Sequence, residues 1–328
     1  MKHHYVPVFY QKYFAASDGL LWVYDRKLKT CKQLHPISIC FQKDLYAYKL
    51  PGGPNQIVET GFLRKVDGVS AKAFKQLMKD IARPTPELLG QILFFAALQH
   101  TRVPANKQFV SMLHELGASD LMQVAFANVE RATEIVAKYE RETGERLGVT
   151  PESMVNAATR LKPVATEVPF IESVVEHTDM VAKVFSELDI KLLISPPQVG
   201  FVLSDCPVTI VPPPSLPVAG FKSPGTFTFM PLTRHTCLRF GQPGTGNGPK
   251  FIDRETVRLI NENTATNSDR FVMGPSKIQI ESVIRRSRSI EINPEPRWIT
   301  VKETDANGGI LRQTISQPRE FHYSNATQ

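Results

Sequence analysis

The chain has 328 residues, 42% hydrophobic and 22% charged, a globular balance that can bury a large core without disulfides or metal. Its 39 Lys and Arg against 32 Asp and Glu leave a net charge of +7, a mild bias toward anionic partners. The longest apolar run, Ile92 to Leu98, falls well short of the ~18 residues of a membrane span. No apolar stretch follows Met1-Lys2-His3-His4-Tyr5, so no export signal is read, and Cys31, Cys40, Cys206 and Cys237 form no CxxC pair. Reduced thiols, a cytoplasmic location and no membrane association are expected.

In chain order, Leu20 to Tyr24 and Thr30 to Leu34 are rich in strand formers and predict a hairpin turning at Asp25-Arg26-Lys27. Pro51-Gly52-Gly53-Pro54 breaks the chain. Phe62, Val66, Val69, Ala73 and Leu77 recur at helical spacing and predict a helix over about 57–81. Thr85-Pro86-Glu87 is a helix start, with a capping hydroxyl, a first-turn proline and an acid near the positive end. The helix it opens is apolar nearly all round and should be central. Ser119-Asp120 predicts a helix closing near Gly144, Thr150-Pro151-Glu152 opens another, and Ile171 to Leu188 marks one more.

Short strand-like runs follow at 191–195, 201–203, 208–211, 226–232 and 236–240. Pro212-Pro213-Pro214 excludes a central strand at that point. Asp253 caps a predicted helix, and Arg270 to Met273 is a last short strand. This order, β then a helical middle (about 57–188) then a β-rich part (about 189–275), predicts a single α+β domain over residues 1–285, packed as one mixed core. Residues 286–328 are read as an extension, either a hairpin or a loose tail.

Several polar segments are candidates for chemistry. His3 and His4 offer imidazoles that titrate near neutrality, although neighbours on a strand point to opposite faces. Glu59 and Asp67, eight positions apart, lie about 80° from a common helix face. Gln99, His100 and Arg102 close an apolar helix just before Pro104, where Arg102 either binds an anion or pairs with a carboxylate to tie two helices. Ser204 and Asp205 end an apolar strand, where they either build a site or hydrogen-bond the turn that Pro207 completes. Cys206 shows no base beside it. There is no phosphate loop, no dinucleotide fingerprint, no HExxH and no CxxC, and the glycine-rich 241–248 is read as a plain loop.

His3-His4-Tyr5-Val6-Pro7 with Phe9 and Tyr10 resembles the opening of a mostly bacterial family, domain of unknown function 4238, which begins His-His-Tyr-Val-Pro-Gln-Phe-Tyr-Leu. Leu21 to Arg26, Ile57-Val58-Glu59 with Asp67, Gln99 to Pro104, Leu203 to Val208, Met230 to Thr233, and Asn263 with Asn267 are similar to its later segments in order. The likeness spans about Lys2 to Gly274, and Val8 and Cys206 depart from it by replacing a Gln and an Asn. The family carries no known mechanism. Its signature through His3, His4, Glu59, Gln99, Arg102, Ser204 and Asp205 implies that these polar residues converge on one pocket.

Three readings stand on these residues. In a hydrolytic enzyme, most concretely a nuclease, His3 or His4 serves as general base or metal ligand, Glu59 and Asp205 hold a divalent metal or pair with the histidine, and Arg102 steadies phosphate, with Tyr5, Gln99 and Ser204 in support. In a binding or regulatory module, the same residues grip an anionic ligand or a protein partner. In a structural reading, His3 and His4 pin the N-terminal segment into the core.

Overall fold

The computed structural model describes residues 1–216, 219–241 and 247–287, and the backbone alone of 298–304 and 310–316. The glycine-rich stretch 242–246 and Arg288, the end of a basic run, therefore lie outside the described residues.

The chain opens with β1 (Lys2–His4) and α1 (Val8–Lys12), then β2 (Leu21–Asp25), β3 (Thr30–Leu34), β4 (Phe41–Lys43), β5 (Tyr48–Leu50) and β6 (Gly53–Asn55). The helices α2 (Arg64–Leu77), α3 (Pro86–Thr101), α4 (Pro104–Ala125), α5 (Val129–Thr143), α6 (Pro151–Arg160), α7 (Val168–Glu172) and α8 (Thr178–Ser186) follow. The remainder is β7 (Asp189–Ile194), β8 (Leu203–Ser204), β9 (Thr209–Val211), β10 (Phe227–Pro231), β11 (Thr236–Gly241), β12 (Gly248–Phe251), α9 (Arg254–Asn267), β13 (Phe271–Gly274), α10 (Lys277–Arg286), β14 (Trp298–Thr304) and β15 (Ile310–Ser316). The fold is α+β, as the element order predicts.

The chain divides into two compact units, one of Met1–Asn106 with the chain from Ile171 onward, the other Lys107–Phe170. In the smaller unit Asn128 caps α5 by accepting the Arg131 N–H (2.9 Å), and Gly144 ends that helix in the left-handed region at φ 72°. The start expected at Ser119-Asp120 is not one: α4 runs on through it to Ala125. Both residues tolerate a helix interior where nothing breaks the backbone, so the capping chemistry is realised one turn beyond that helix, at Asn128.

In the larger unit, the 21–34 hairpin forms, and its turn is held by Asp25 Oδ1 accepting the N–H groups of Lys27 and Leu28. It joins a four-stranded antiparallel sheet ordered β3-β2-β13-β8, on which Val202, Ala265, Val272, Ile280 and Ile284 are packed. A five-stranded sheet is ordered β12-β7-β11-β10-β9, antiparallel except that β12 runs parallel to β7 at one edge. Its other edge, β9, stops at Val211, immediately before the three prolines. Of the run 201–203 only Leu203 enters a strand. The N–H groups of Phe201 and Val202 go instead to Arg234 O (2.7 Å) and Asn261 Oδ1 (2.9 Å).

Thr85 caps α3 as expected (3.2 Å to Leu88 N), and this helix is buried along most of its length. The helix over 57–81 is α2, preceded by a π-helical stretch at Val58–Leu63 that carries Glu59; a second π stretch, Ser173–His177, joins α7 to α8. Tyr10 of α1 meets the rings of Phe74 and Phe95 edge-on, and its hydroxyl donates to Pro231 O of the five-stranded sheet. Short α1 therefore locks helices to sheet. Among the described residues no helix is long and apolar enough to cross a membrane, and no disulfide joins the four cysteines.

Candidate functional site

The candidate residues fall into two groups around the N-terminal segment. β1 pairs with β4, and the alternation of the strand separates the histidines. His3 is fully buried and stacks on Tyr46 with ring centroids 5.5 Å apart and planes within 4°. The Tyr46 N–H donates to His3 Nδ1 (3.0 Å), so Nε2 carries the proton and donates to Gln56 Oε1; Gln56 Nε2 in turn donates to Asp44 Oδ1 (2.8 Å). Asp44 also accepts from the Met1 ammonium. Both ring nitrogens of His3 are thus engaged, and burial holds its pKa below the ordinary value. His4, half-buried, donates Nε2 to Ile37 O (3.2 Å) beside the Phe41 ring.

Arg102 is completely buried where α3 ends. Its Nη1 donates to Asp67 Oδ1 of α2 (2.7 Å), its Nη2 to His4 O (2.7 Å), and its own carbonyl accepts from the Tyr46 hydroxyl (2.7 Å). Burial opposes its charge, but the Asp67 carboxylate and Tyr46 more than reverse that, so the pKa rises. Glu59 lies in the field of Arg102 and Asp67; burial pushes its carboxyl up, and Oε2 is buried without a partner. Gln99, one turn before Arg102, is fully buried with both side-chain amide atoms unpartnered.

The second group holds Tyr5, Ser204 and Asp205. Tyr5 is buried in the field of Cys40, Asp205 and Cys206. Asp205 Oδ1 and Oδ2 accept the N–H groups of Asp269 (3.0 Å) and Arg270 (2.8 Å). Burial, then the Asp269 carboxylate, push its acid up, against the pull of those backbone donors. Ser204 Oγ donates to Cys206 O (2.8 Å), and Asn267 Nδ2 donates to Cys206 O and Val208 O (3.1 Å each). Glu59 and Asp205, expected to share a metal, instead have separate charged neighbours: Arg102, Asp67 and Arg64 for one, Asp269 and Arg26 for the other. Among the described residues no three His, Cys, Asp or Glu side chains are grouped to hold a metal.

A cleft that the residue-by-residue reading missed lies elsewhere in the larger unit, a cavity of about 570 Å³. Arg254 and Arg258 reach it from α9, Arg286 from α10 and Arg234 from the turn between β10 and β11; Glu262 is the one carboxylate in its lining. Arg258 is paired at the surface with Glu255 (3.2 Å) and Arg286 with Glu262 (3.5 Å). Arg254 makes no ion pair among the described residues, and Arg234 Nε is buried without a partner. Gly200 O forms part of the frame by accepting from Asn261 Nδ2 (2.9 Å) and Gln279 Nε2 (2.6 Å). A Cβ on Gly200 would stand 2.9 Å from Arg234 O, so this close approach requires glycine. The signal in the sequence was Arg254 and Arg258 four apart on a capped helix, with Arg286 in a basic run, but neither shows which way the side chains face.

A family model described as Protein of unknown function (DUF4238) matches residues 2–277. No curated protein and no solved structure matches the chain.

Replacing Arg102 by Met leaves the Asp67 carboxylate and His4 O without their donors and should destabilise the fold by about 3 kcal/mol. Urea denaturation checks this, and adding Asp67→Leu should restore part of the loss. The neutral state of His3 makes a second prediction. Its folded pKa lies below the unfolded value of about 6.5, so the unfolded chain takes up protons first. Its contribution is complete above about pH 6.5 and is lost as the pH falls toward the folded value. The urea midpoint should drop more steeply between pH 7 and 5 in the wild type than in His3→Gln.

Proposed function

Because the chain belongs to the family of proteins of unknown function DUF4238, whose description names no activity, we propose from the geometry that it binds phosphate esters in the arginine-lined cleft. One observation supports this reading: four arginines line a single cavity whose lining holds one carboxylate, and the Nε of one of them, Arg234, is buried without a partner. Guanidinium donates in a planar fork matched to phosphate oxygens, and a charge-assisted pair of this kind is stronger than a neutral hydrogen bond. His3, His4, Arg102, Ser204 and Asp205 of the family signature are bonded to backbone groups or to neighbours outside the signature, so they build the frame, and the cleft is left for recognition. A nucleic-acid strand and a free nucleotide present the same phosphate chemistry.

The test is fluorescence anisotropy with a labelled single-stranded RNA, beside calorimetry with ATP, at about 50 mM and 200 mM salt. Arg254→Glu with Arg258→Glu should weaken binding at least about tenfold and flatten the salt slope for the RNA by about 0.7 per lost phosphate contact. Binding of RNA alone assigns the cleft to strands, and binding of ATP alone assigns it to nucleotides. Failure of both probes to bind, or equal binding by the variant, rejects the reading.

A second reading, hydrolysis, is favoured by one observation. Burial pushes His4 down and Glu59 up around the same Arg102–Asp67 pair, toward a neutral base and a protonated acid. Glu59 Oε2 and the Gln99 amide, buried and unpartnered, are the groups a substrate would meet. Under this reading the protein cleaves RNA or plasmid DNA and His4→Ala does not, with an EDTA lane reporting whether a metal takes part. Intact nucleic acid in every lane leaves binding alone.

A further inference from the structure

A phosphate group fills only a small part of the arginine cleft. The cavity, about 570 Å³, lies in the range of sites that hold a whole small molecule. Its lining is not all charge either. Pro197, Val199, Pro275 and Ile278 give it apolar surface, drawn from two distant stretches of the chain. Both stretches meet at one carbonyl: Gly200 O accepts Gln279 Nε2 from α10 (2.6 Å) and Asn261 Nδ2 from α9 (2.9 Å). Asn261 in turn closes a stripe on α9 that begins with Arg254 and Arg258, and all three line the cavity. At 1.5 Å per residue, Arg254 lies about 10 Å along the helix from the residue that holds the apolar edge. Cation and apolar surface are thus within the span of one nucleotide-sized molecule.

Polar side chains with hydrogen-bonding capacity to spare stand among the apolar ones. Gln279 donates its amide N–H to Gly200 O, and its Oε1 accepts nothing among the described residues. The side chains of Gln198 and Ser282 also have no hydrogen-bond partner among the described residues. This mixture discriminates between bodies that a phosphate could carry. A hydrocarbon chain would cover the two amides without answering them. A sugar would leave the proline and isoleucine surface unused. A nucleic-acid base meets both demands, with flat apolar faces, a donor and acceptor edge, and a ring that also stacks on guanidinium planes.

We propose that the arginine cleft binds a nucleotide by its base as well as its phosphate, the base lying on Pro197, Pro275 and Ile278 with its edge toward Gln198 and Gln279. The proposal rests on the phosphate reading and narrows it, from any phosphate ester to one that carries a base.

The probes are AMP, ribose 5-phosphate and tripolyphosphate, titrated by calorimetry into the full chain at about 50 mM salt. AMP and ribose 5-phosphate differ by the base alone, and AMP should bind at least about tenfold more tightly. Ile278→Ser should cut the affinity for AMP about fivefold and leave that for ribose 5-phosphate as it was. Ile278 is 79% exposed, so this change spares the core, and an unaltered urea midpoint verifies it. Arg254→Glu should weaken all three probes. Equal binding of AMP and ribose 5-phosphate, or AMP binding that ignores Ile278→Ser, overturns the base contact and leaves the phosphate reading standing. Binding of tripolyphosphate without AMP does the same. Absence of binding by all three removes the phosphate reading, and the proposal with it.

Discussion

A guanidinium with no access to water is the constraint around which the N-terminal half is arranged. Arg102 cannot lose its proton at any physiological pH, so the cost of burying its charge has to be met by neighbours held in place. Those neighbours come from β1 through the His4 carbonyl, from α2 through Asp67, and from the segment before β5 through the Tyr46 hydroxyl and ring. Each is positioned in turn by something else: Tyr46 stacks on His3, His3 leans on Gln56, and Gln56 on Asp44. A lysine carries the charge but not the fork, and would leave at least one of these acceptors unanswered.

A second polar seam does the same for the sheet. Asp205 holds the N–H groups of Asp269 and Arg270, Asp25 accepts Nε and Nη2 of Arg270, and Asn267 bridges the carbonyls of Cys206 and Val208. Tyr5 lies against this seam while His3 and His4 belong to the first, so the N-terminal strand and the residue after it span both. The two seams explain how polar residues scattered over the chain identify a family while most of them are held by backbone groups and by neighbours inside the fold.

The parts of the fold that depend on local chemistry were legible in the sequence. Thr85, Thr150 and Asp253 start helices because a side-chain oxygen meets a backbone N–H three residues on, a relation contained in the sequence. The 21–34 hairpin is read from its strand formers for the same reason. The π stretch at 58–63, the parallel pairing of Gly248–Phe251 with β7 and the N–H groups of Phe201 and Val202 that leave the ladder are set by distant partners. Helix α10, with its Ser276 cap, was readable in principle but is obscured by Gly274 and Pro275 immediately before it. The site divides similarly. His3, Arg102 and Asp205 stand out as unusual polar residues, yet Tyr46 and Gln56, which decide what His3 can do, carry no mark. The arginines of the cleft look like ordinary solvated charges until α9, α10 and the β10–β11 turn are brought together.

The pairing of β2 with β13 has a consequence in time. Asp25 and Arg270 stand 245 positions apart, and the backbone of Arg26 is bonded to that of Arg270. At roughly 5–20 residues per second, the ribosome delivers the partner of β2 some ten to fifty seconds after β2 itself. Throughout that interval the hairpin carries an unpaired strand edge, the kind of template that recruits other chains. The nascent protein therefore reaches its sheet late, and its yield in a cell depends on how well that edge is shielded until β13 arrives.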